Sequence, residues 1–331
     1  AITNSQIIIA GATGSGKTNL LAVLMQQIRA LSSESRYPVN FILFDYKGEF
    51  SDIQNNHWLS LFDVDRSCIL DPIQRPLPFT PFKDFTGRPI NEINLYSTEM
   101  ASALSSLDRL SPSSNMNNRL AESIVEAYKA TNGSPITFDL MLKEYQARMK
   151  DAEKDDSISS VLKQLVRANI FEESDKANLI EECYIVKMDG YPKDGPIAKA
   201  IVYFLMSKLN NIYEQLDKQA VNDDVVQIRH FSIIDEAHYM LSFDNRPLRN
   251  LIAVGRNKGL SVILATQNMS DFKNKGFDFY ANAQYPLIMK QQTIDDKVIK
   301  DLYGVSGSEL QDVRTAIAGL QKGELIIKDQ M

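Results

Sequence analysis

Short, near-continuous runs of apolar, largely β-branched residues recur along the chain at 6–10, 39–44, 183–188, 228–234, 260–265, 286–289 and 325–327, each bounded by turn residues. Runs without polar alternation mark strands covered on both faces. Between them the period changes. Ile197, Ile201, Leu205, Leu209, Ile212 and Leu216 recur every three or four residues, which predicts a long amphipathic helix behind the 183–188 strand. A second helical stretch covers residues 18–31. Strand alternating with helix predicts an α/β fold with a mostly parallel sheet flanked by helices.

From about 91 to 180 the apolar runs vanish, and Leu120, Ile124, Ala127 and Tyr128, then Ile158, Val161, Leu162, Leu165 and Val166, follow helical spacing. An all-α insertion at 91–180 is predicted, interrupting a core formed by 1–90 and 181–331.

With 331 residues and 44% hydrophobic content the chain can bury a large core. No apolar stretch approaches the ~18 residues of a membrane span, so no membrane insertion and a cytoplasmic location are expected. Cys68 and Cys183 are too few and too far apart for a disulfide framework, and His57, His230 and His238 are scattered, so no structural metal site is expected. The net charge of −6 means that any nucleic-acid contact must be local. The chain opens without Met a few residues before its first predicted strand. It is expected to be a C-terminal fragment of a longer protein.

Residues 11–18 change the picture. Gly11-Ala12-Thr13-Gly14-Ser15-Gly16-Lys17-Thr18 is a complete G-x-x-x-x-G-K-[ST] phosphate loop, preceded by an apolar strand and followed by a helix that Asn19 continues. Glycine-rich backbone and the positive end of a helix form an anion nest, and Gly11, Gly14 and Gly16 permit the tight turn. Residues 11–19 are therefore the nucleotide-binding candidates for ATP. Lys17 would reach the β- and γ-phosphates, and the Thr18 hydroxyl would ligate Mg²⁺.

The strand at 228–234 ends in Asp235-Glu236, a Walker B arrangement in which Asp235 holds the Mg²⁺ shell and Glu236 polarises the attacking water. The 260–265 strand ends in Thr266-Gln267-Asn268, and Gln267 can sense the γ-phosphate without adding charge. Asp45 ends the second strand and opens Asp45-Tyr46-Lys47-Gly48-Glu49, at the carboxyl edge where ligands bind in open α/β sheets. Asp45 is thus a further nucleotide-binding candidate, with Lys47 and Glu49 facing the same edge. Arg249 and Arg256 precede the sensor strand and are candidates for the cation that a neighbouring subunit donates to the transition state. Phe272-Lys273-Asn274-Lys275-Gly276 follows the sensor strand and is the candidate DNA-contacting loop.

Together, the phosphate loop, Asp-Tyr-Lys-Gly-Glu, Ile-Ile-Asp-Glu-Ala-His, Gly-Arg-Asn-Lys-Gly-Leu at 255–260 and Ala-Thr-Gln at 265–267 resemble the HerA/FtsK class of ring-forming pumping ATPases. More narrowly, the chain is similar to the DptH-like ATPases of phosphorothioation-dependent DNA restriction systems. The resemblance covers about residues 1–90 and 181–331. It implies a RecA-like P-loop NTPase, ATP and Mg²⁺ as cofactors, a homo-oligomeric ring, motor activity on double-stranded DNA and other subunits of a restriction complex as partners. It favours Arg256 as the arginine acting in trans. Neither the β-barrel domain that precedes the motor in HerA-like proteins nor the DNA-reading winged helix of FtsK is expected within these 331 residues, and the helical insertion departs from the minimal core.

Asp235-Glu236-Ala237-His238 also spells the box of DEAH helicases. No arginine-rich closing motif follows, and Thr-Gln-Asn stands where those enzymes carry Ser-Ala-Thr. A secretion or conjugation ATPase of the same superfamily would show much the same core motifs. A nucleotide-gated scaffold that recruits a nuclease would have no use for the acid at Glu236.

Overall fold

A computed structural model of the chain describes residues 5–35, 38–54, 57–107, 112–151, 154–173, 177–218, 221–222, 225–243, 245–274 and 277–328. The side chains at 221, 222, 225, 256 and 274 also lie outside the description. Strands β1 (Ile7–Ala10), β2 (Asn40–Asp45), β3 (Ile69–Leu70) and β4 (Tyr184–Lys187) come first. The short pair β5 (Val221–Asn222) and β6 (Val225–Val226) precedes β7 (His230–Ile234) and β8 (Leu260–Thr266). A second short pair, β9 (Lys273–Asn274) and β10 (Phe277–Asp278), is followed by β11 (Tyr285–Met289) and β12 (Leu325–Ile327). Eight of them form one sheet in the order β12-β11-β1-β8-β7-β2-β4-β3. Every pairing in it is parallel except β11 with β12.

The helices that cover the sheet begin with α1 (Lys17–Ser32) and α2 (Trp58–Phe62). The stretch without apolar runs forms α3 (Ile90–Ser105), α4 (Ser114–Ala130), α5 (Phe138–Ala147) and α6 (Ser157–Ala168), started by side-chain caps from Ser113, Thr137 and Asp156 on the last three. Then come α7 (Pro196–Gln215), α8 (His238–Leu241), α9 (Arg246–Val254), α10 (Phe279–Asn282), α11 (Asp296–Tyr303) and α12 (Gly307–Gly319). No helix among the described residues is long and apolar enough to cross a membrane.

Both faces of the sheet are buried, which is why its strands read as continuous apolar runs. Phe41 and Leu43 of β2 pack on the face covered by α1, with Leu21 and Met25. Ile42 and Phe44 point the other way, into a core shared with α7 and with Leu120, Ile124 and Tyr128 of the helical stretch. That stretch is closed at its base by Leu77, whose N–H donates to Ile170 O at 2.8 Å and whose carbonyl accepts from Glu172 N at 2.9 Å. Phe82, Phe138 and Phe171 each lie within 5.8 Å of the Phe204 ring of α7, so aromatic packing binds the helical excursion to the sheet layer.

His230, at the start of β7, is fully buried, and that burial pushes its imidazole down to about 3. Below the unfolded value of ~6.5 the unfolded chain gains a proton that the folded chain refuses. Stability present at pH 7 is therefore lost as the pH falls from ~6.5 towards 3, by up to ~1.4 kcal/mol per pH unit. Urea midpoints at pH 7 and pH 5 are expected to differ less in His230→Leu than in the wild type. An unchanged difference would show that His230 is protonated in the folded protein.

Candidate active site

The phosphate loop joins β1 to α1 at the carboxyl edge of the sheet. It is tied to both neighbouring strands: Gly11 N donates to Thr266 O at 3.0 Å and Ala12 N to Lys290 O at 2.9 Å. A Cβ on Gly11 would stand 2.5 Å from Ser15 Oγ, and Gly14 and Gly16 take φ of 80° and 102°, conformations costly for any other residue. Gly16 caps α1, so the first amides of that helix, from Lys17 onward, have no intrahelical acceptor and face the loop's concavity. Thr18 is half-buried, while Thr13 and Asn19 are exposed. The loop has a support that sequence reasoning missed: Gly323 N, in the turn before β12, donates to Ser15 O at 2.8 Å.

Across β8 from the phosphate loop, β7 ends at Ile234 and delivers Asp235 and Glu236, each about 1% exposed. Glu236 adopts φ of 52°, the left-handed region that non-glycine residues avoid at a cost on the order of 1–2 kcal/mol. Two contacts enforce it. Asp235 Oδ1 accepts the Glu236 N–H at 2.9 Å, and Ala237 N donates to Ala265 O at 2.8 Å. The strain turns the Glu236 side chain back over the strand tips, towards the phosphate loop.

There two lysines meet two carboxylates. Lys17 Nζ lies 3.1 Å from Glu236 Oε1 and 3.6 Å from Asp235 Oδ1. Lys47 Nζ, arriving from the β2 side, lies 2.8 Å from the same Glu236 oxygen and 3.8 Å from Asp235 Oδ2. Burial alone would raise the Glu236 carboxyl, but the Lys17 and Lys47 ammonium groups outweigh it and hold the group down to about 2. At Asp235 burial prevails over the same two cations and raises the carboxyl. The other Glu236 oxygen accepts Gln267 Nε2 at 3.1 Å and faces His238 Nδ1 at 3.4 Å, while Thr13 Oγ1 donates to Gln267 Oε1 at 3.3 Å. A continuous polar chain thus runs from phosphate loop to sensor amide to acid.

Asp45 sits at the tip of β2, but its carboxylate turns into its own loop. It accepts Lys47 N and Gly48 N on Oδ1, and Phe50 N, Ser51 N and Ser51 Oγ on Oδ2, at 2.8–3.3 Å. Asp45 shapes the loop that presents Lys47, and Glu49 is exposed. Arg249 lies half-buried on α9. Arg256 lies on the turn Gly255–Lys258, its side chain outside the described residues. That turn adjoins the entry to β8, since Arg229 N donates to Gly259 O at 2.8 Å. β8 is seven residues long, so Arg256 stands roughly 20 Å from the strand tips of its own site. Lys273 of the β9–β10 pair is engaged by Asp295 at 2.6 Å, and Lys275 lies outside the described residues. Among the described residues no group of three or more His, Cys, Asp or Glu could hold a metal ion.

No curated protein matches the chain in sequence. Among solved structures, VirB4 of Thermoanaerobacter pseudethanolicus is similar over 98% of this chain and 87% of its own, with TM-score 0.70 and 17% identity. The plasmid coupling protein TrwB in complex with the non-hydrolysable ATP analogue ADPNP is similar over 98% and 83%, with TM-score 0.61 and 17% identity. TrwB in complex with ADP and Mg²⁺ is similar over 98% and 77%, with TM-score 0.57 and 17% identity. Identities this low establish the fold, an α/β P-loop NTPase. The family model described as "Helicase HerA, central domain" matches residues 2–283, most of the sheet and the whole of the lysine–carboxylate cluster, and the chain belongs to that family.

Proposed function

We propose that the chain is an Mg²⁺-dependent ATPase that drives movement along double-stranded DNA. The observation that carries the first part is the convergence of Lys17, from the phosphate loop, on Asp235 and Glu236, from a strand tip more than two hundred residues later. TrwB, of the same fold, holds an ATP analogue and ADP with Mg²⁺. Here the amides of residues 11–19 would cradle the phosphates, and Thr18 and Asp235 would hold Mg²⁺. A site with so few protein ligands fits an ion that keeps most of its water and phosphate ligands. When bound, Mg²⁺ supplies charge neutralisation at the phosphates. Glu236 takes the proton of the attacking water, and Gln267 registers loss of the γ-phosphate.

Lys17 changes partner in this cycle. In the resting protein it neutralises the acid pair. With nucleotide present the phosphates compete for it, which frees Glu236 to act.

The motor reading rests on membership in the HerA family and on the position of Arg256. Its turn lies at the sheet edge away from its own phosphate loop, a position that suits an arginine offered to a neighbouring copy. A place within a phosphorothioation-dependent restriction complex is supported only by the resemblance of the motif segments. A conjugation or secretion ATPase is the second reading, and the likeness to VirB4 and TrwB is the observation that favours it.

ATP turnover measured with duplex DNA, single-stranded DNA and no DNA separates these readings. Stimulation by duplex several-fold above single strands is expected, weakening with salt as phosphate contacts are lost. Stimulation confined to single strands would favour the second reading, and indifference to DNA would remove the motor.

A further inference from the structure

Lys47 has no part in the phosphate-loop scheme, yet its ammonium is closer to Glu236 than that of Lys17, at 2.8 Å against 3.1 Å. The loop that carries it is fixed on three sides. Asp45 gathers four loop amides and the Ser51 hydroxyl. Gly48, at φ 73°, passes so close to Asp189 that a Cβ there would stand 2.6 Å from Oδ2. Tyr46 is fully buried, with its ring 5.6 Å from that of Tyr239 on α8, the helix that follows Glu236. Loop, strand tip and α8 are one packed unit, and Lys47 is aimed by it.

The two lysines differ in what can draw them away. Lys17 stands at the mouth of an anion nest and is claimed by phosphates. Lys47 comes from β2, on the other side of β7 from β8 and the phosphate loop. We propose that Lys47 is a positioning residue for hydrolysis. It fixes the Glu236 carboxylate in its strained orientation once Lys17 has left, and supplies in cis a second positive charge beside the acid pair. This rests on the reading of Glu236 as the water-activating group.

The test is ATP turnover by the full chain, in single- and multiple-turnover mode, with binding of a fluorescent ATP analogue measured in parallel. Lys47→Met keeps length and removes charge. It is expected to lower kcat about tenfold or more while the analogue still binds, and Lys47→Arg is expected to restore most of kcat. In a Glu236→Gln background, Lys47→Met is expected to change the residual rate by less than about twofold, because a residue acting through Glu236 has nothing left to act on. Wild-type kcat in Lys47→Met would overturn the proposal and leave the ATPase reading intact. So would a full further loss in the Glu236→Gln background, or equal failure of Met and Arg variants with a lowered melting temperature. An inactive wild type would instead remove the ATPase reading, and the role of Lys47 with it.

Discussion

Glu236→Gln is expected to bind ATP more tightly than the wild type while hydrolysing it 10²- to 10⁴-fold more slowly, the usual contribution of a general base. The rate loss follows from proton chemistry: the amide fills the same space and cannot take a proton from water. The gain in affinity follows from the contacts of the resting site. Two buried carboxylates there hold two lysines, and phosphates must compete with Glu236 for Lys17 at 3.1 Å. Charge-assisted hydrogen bonds of this kind contribute about 1.5–3 kcal/mol, so removing one competitor should tighten binding roughly tenfold or more. The substitution also leaves one positive charge uncompensated in the cluster, so the nucleotide-free variant should melt below the wild type and gain more from added ATP. Equilibrium binding and phosphate release on the same preparation decide the matter. Wild-type turnover would show that another group activates the water.

The second large effect is expected between subunits. Arg256→Ala should lose a factor of ~10³ or more in turnover, the contribution of an arginine supplied to a phosphoryl-transfer site in trans. Mixing it with Lys17→Ala should restore part of the activity, because each protein carries the half that the other lacks. The expectation of an assembly effect rests on the Gly255–Lys258 turn, which lies at the sheet edge opposite its own phosphate loop. Turnover should accordingly rise steeply with protein concentration. No rescue in a mixture shown to co-assemble would leave Arg256 structural and pass the role to Arg249 on α9.

The parts of this site encoded by local pattern were legible in the sequence. Strands covered on both faces wrote themselves as apolar runs, and the phosphate loop carries Gly14 and Gly16 where φ turns positive. The acids were found because a strand tip is a fixed place in a parallel sheet. What escaped depends on side-chain direction and distant packing. Asp45 read as a nucleotide contact because it ends a strand, yet five donors within its own loop turn it away, and only the three-dimensional course of residues 45–51 shows that. The backbone strain at Glu236 leaves no trace in composition, since glycine is the usual sign of positive φ. β3, of two residues, is too short for periodicity to mark, and the support that Gly323 gives to Ser15 joins segments some three hundred residues apart. The helical stretch was visible from its 3.6 period, but its fusion with the sheet through Phe204 was not.

The most direct test of the account is release of inorganic phosphate from ATP by the purified chain, with Mg²⁺, with EDTA and with the Lys17→Ala substitution. Steady Mg²⁺-dependent release that EDTA abolishes and Lys17→Ala reduces to background is the expected result. Release that persists undiminished in Lys17→Ala, or none from a folded wild type that binds ATP, would contradict the assignment of the lysine–carboxylate cluster as a hydrolytic centre.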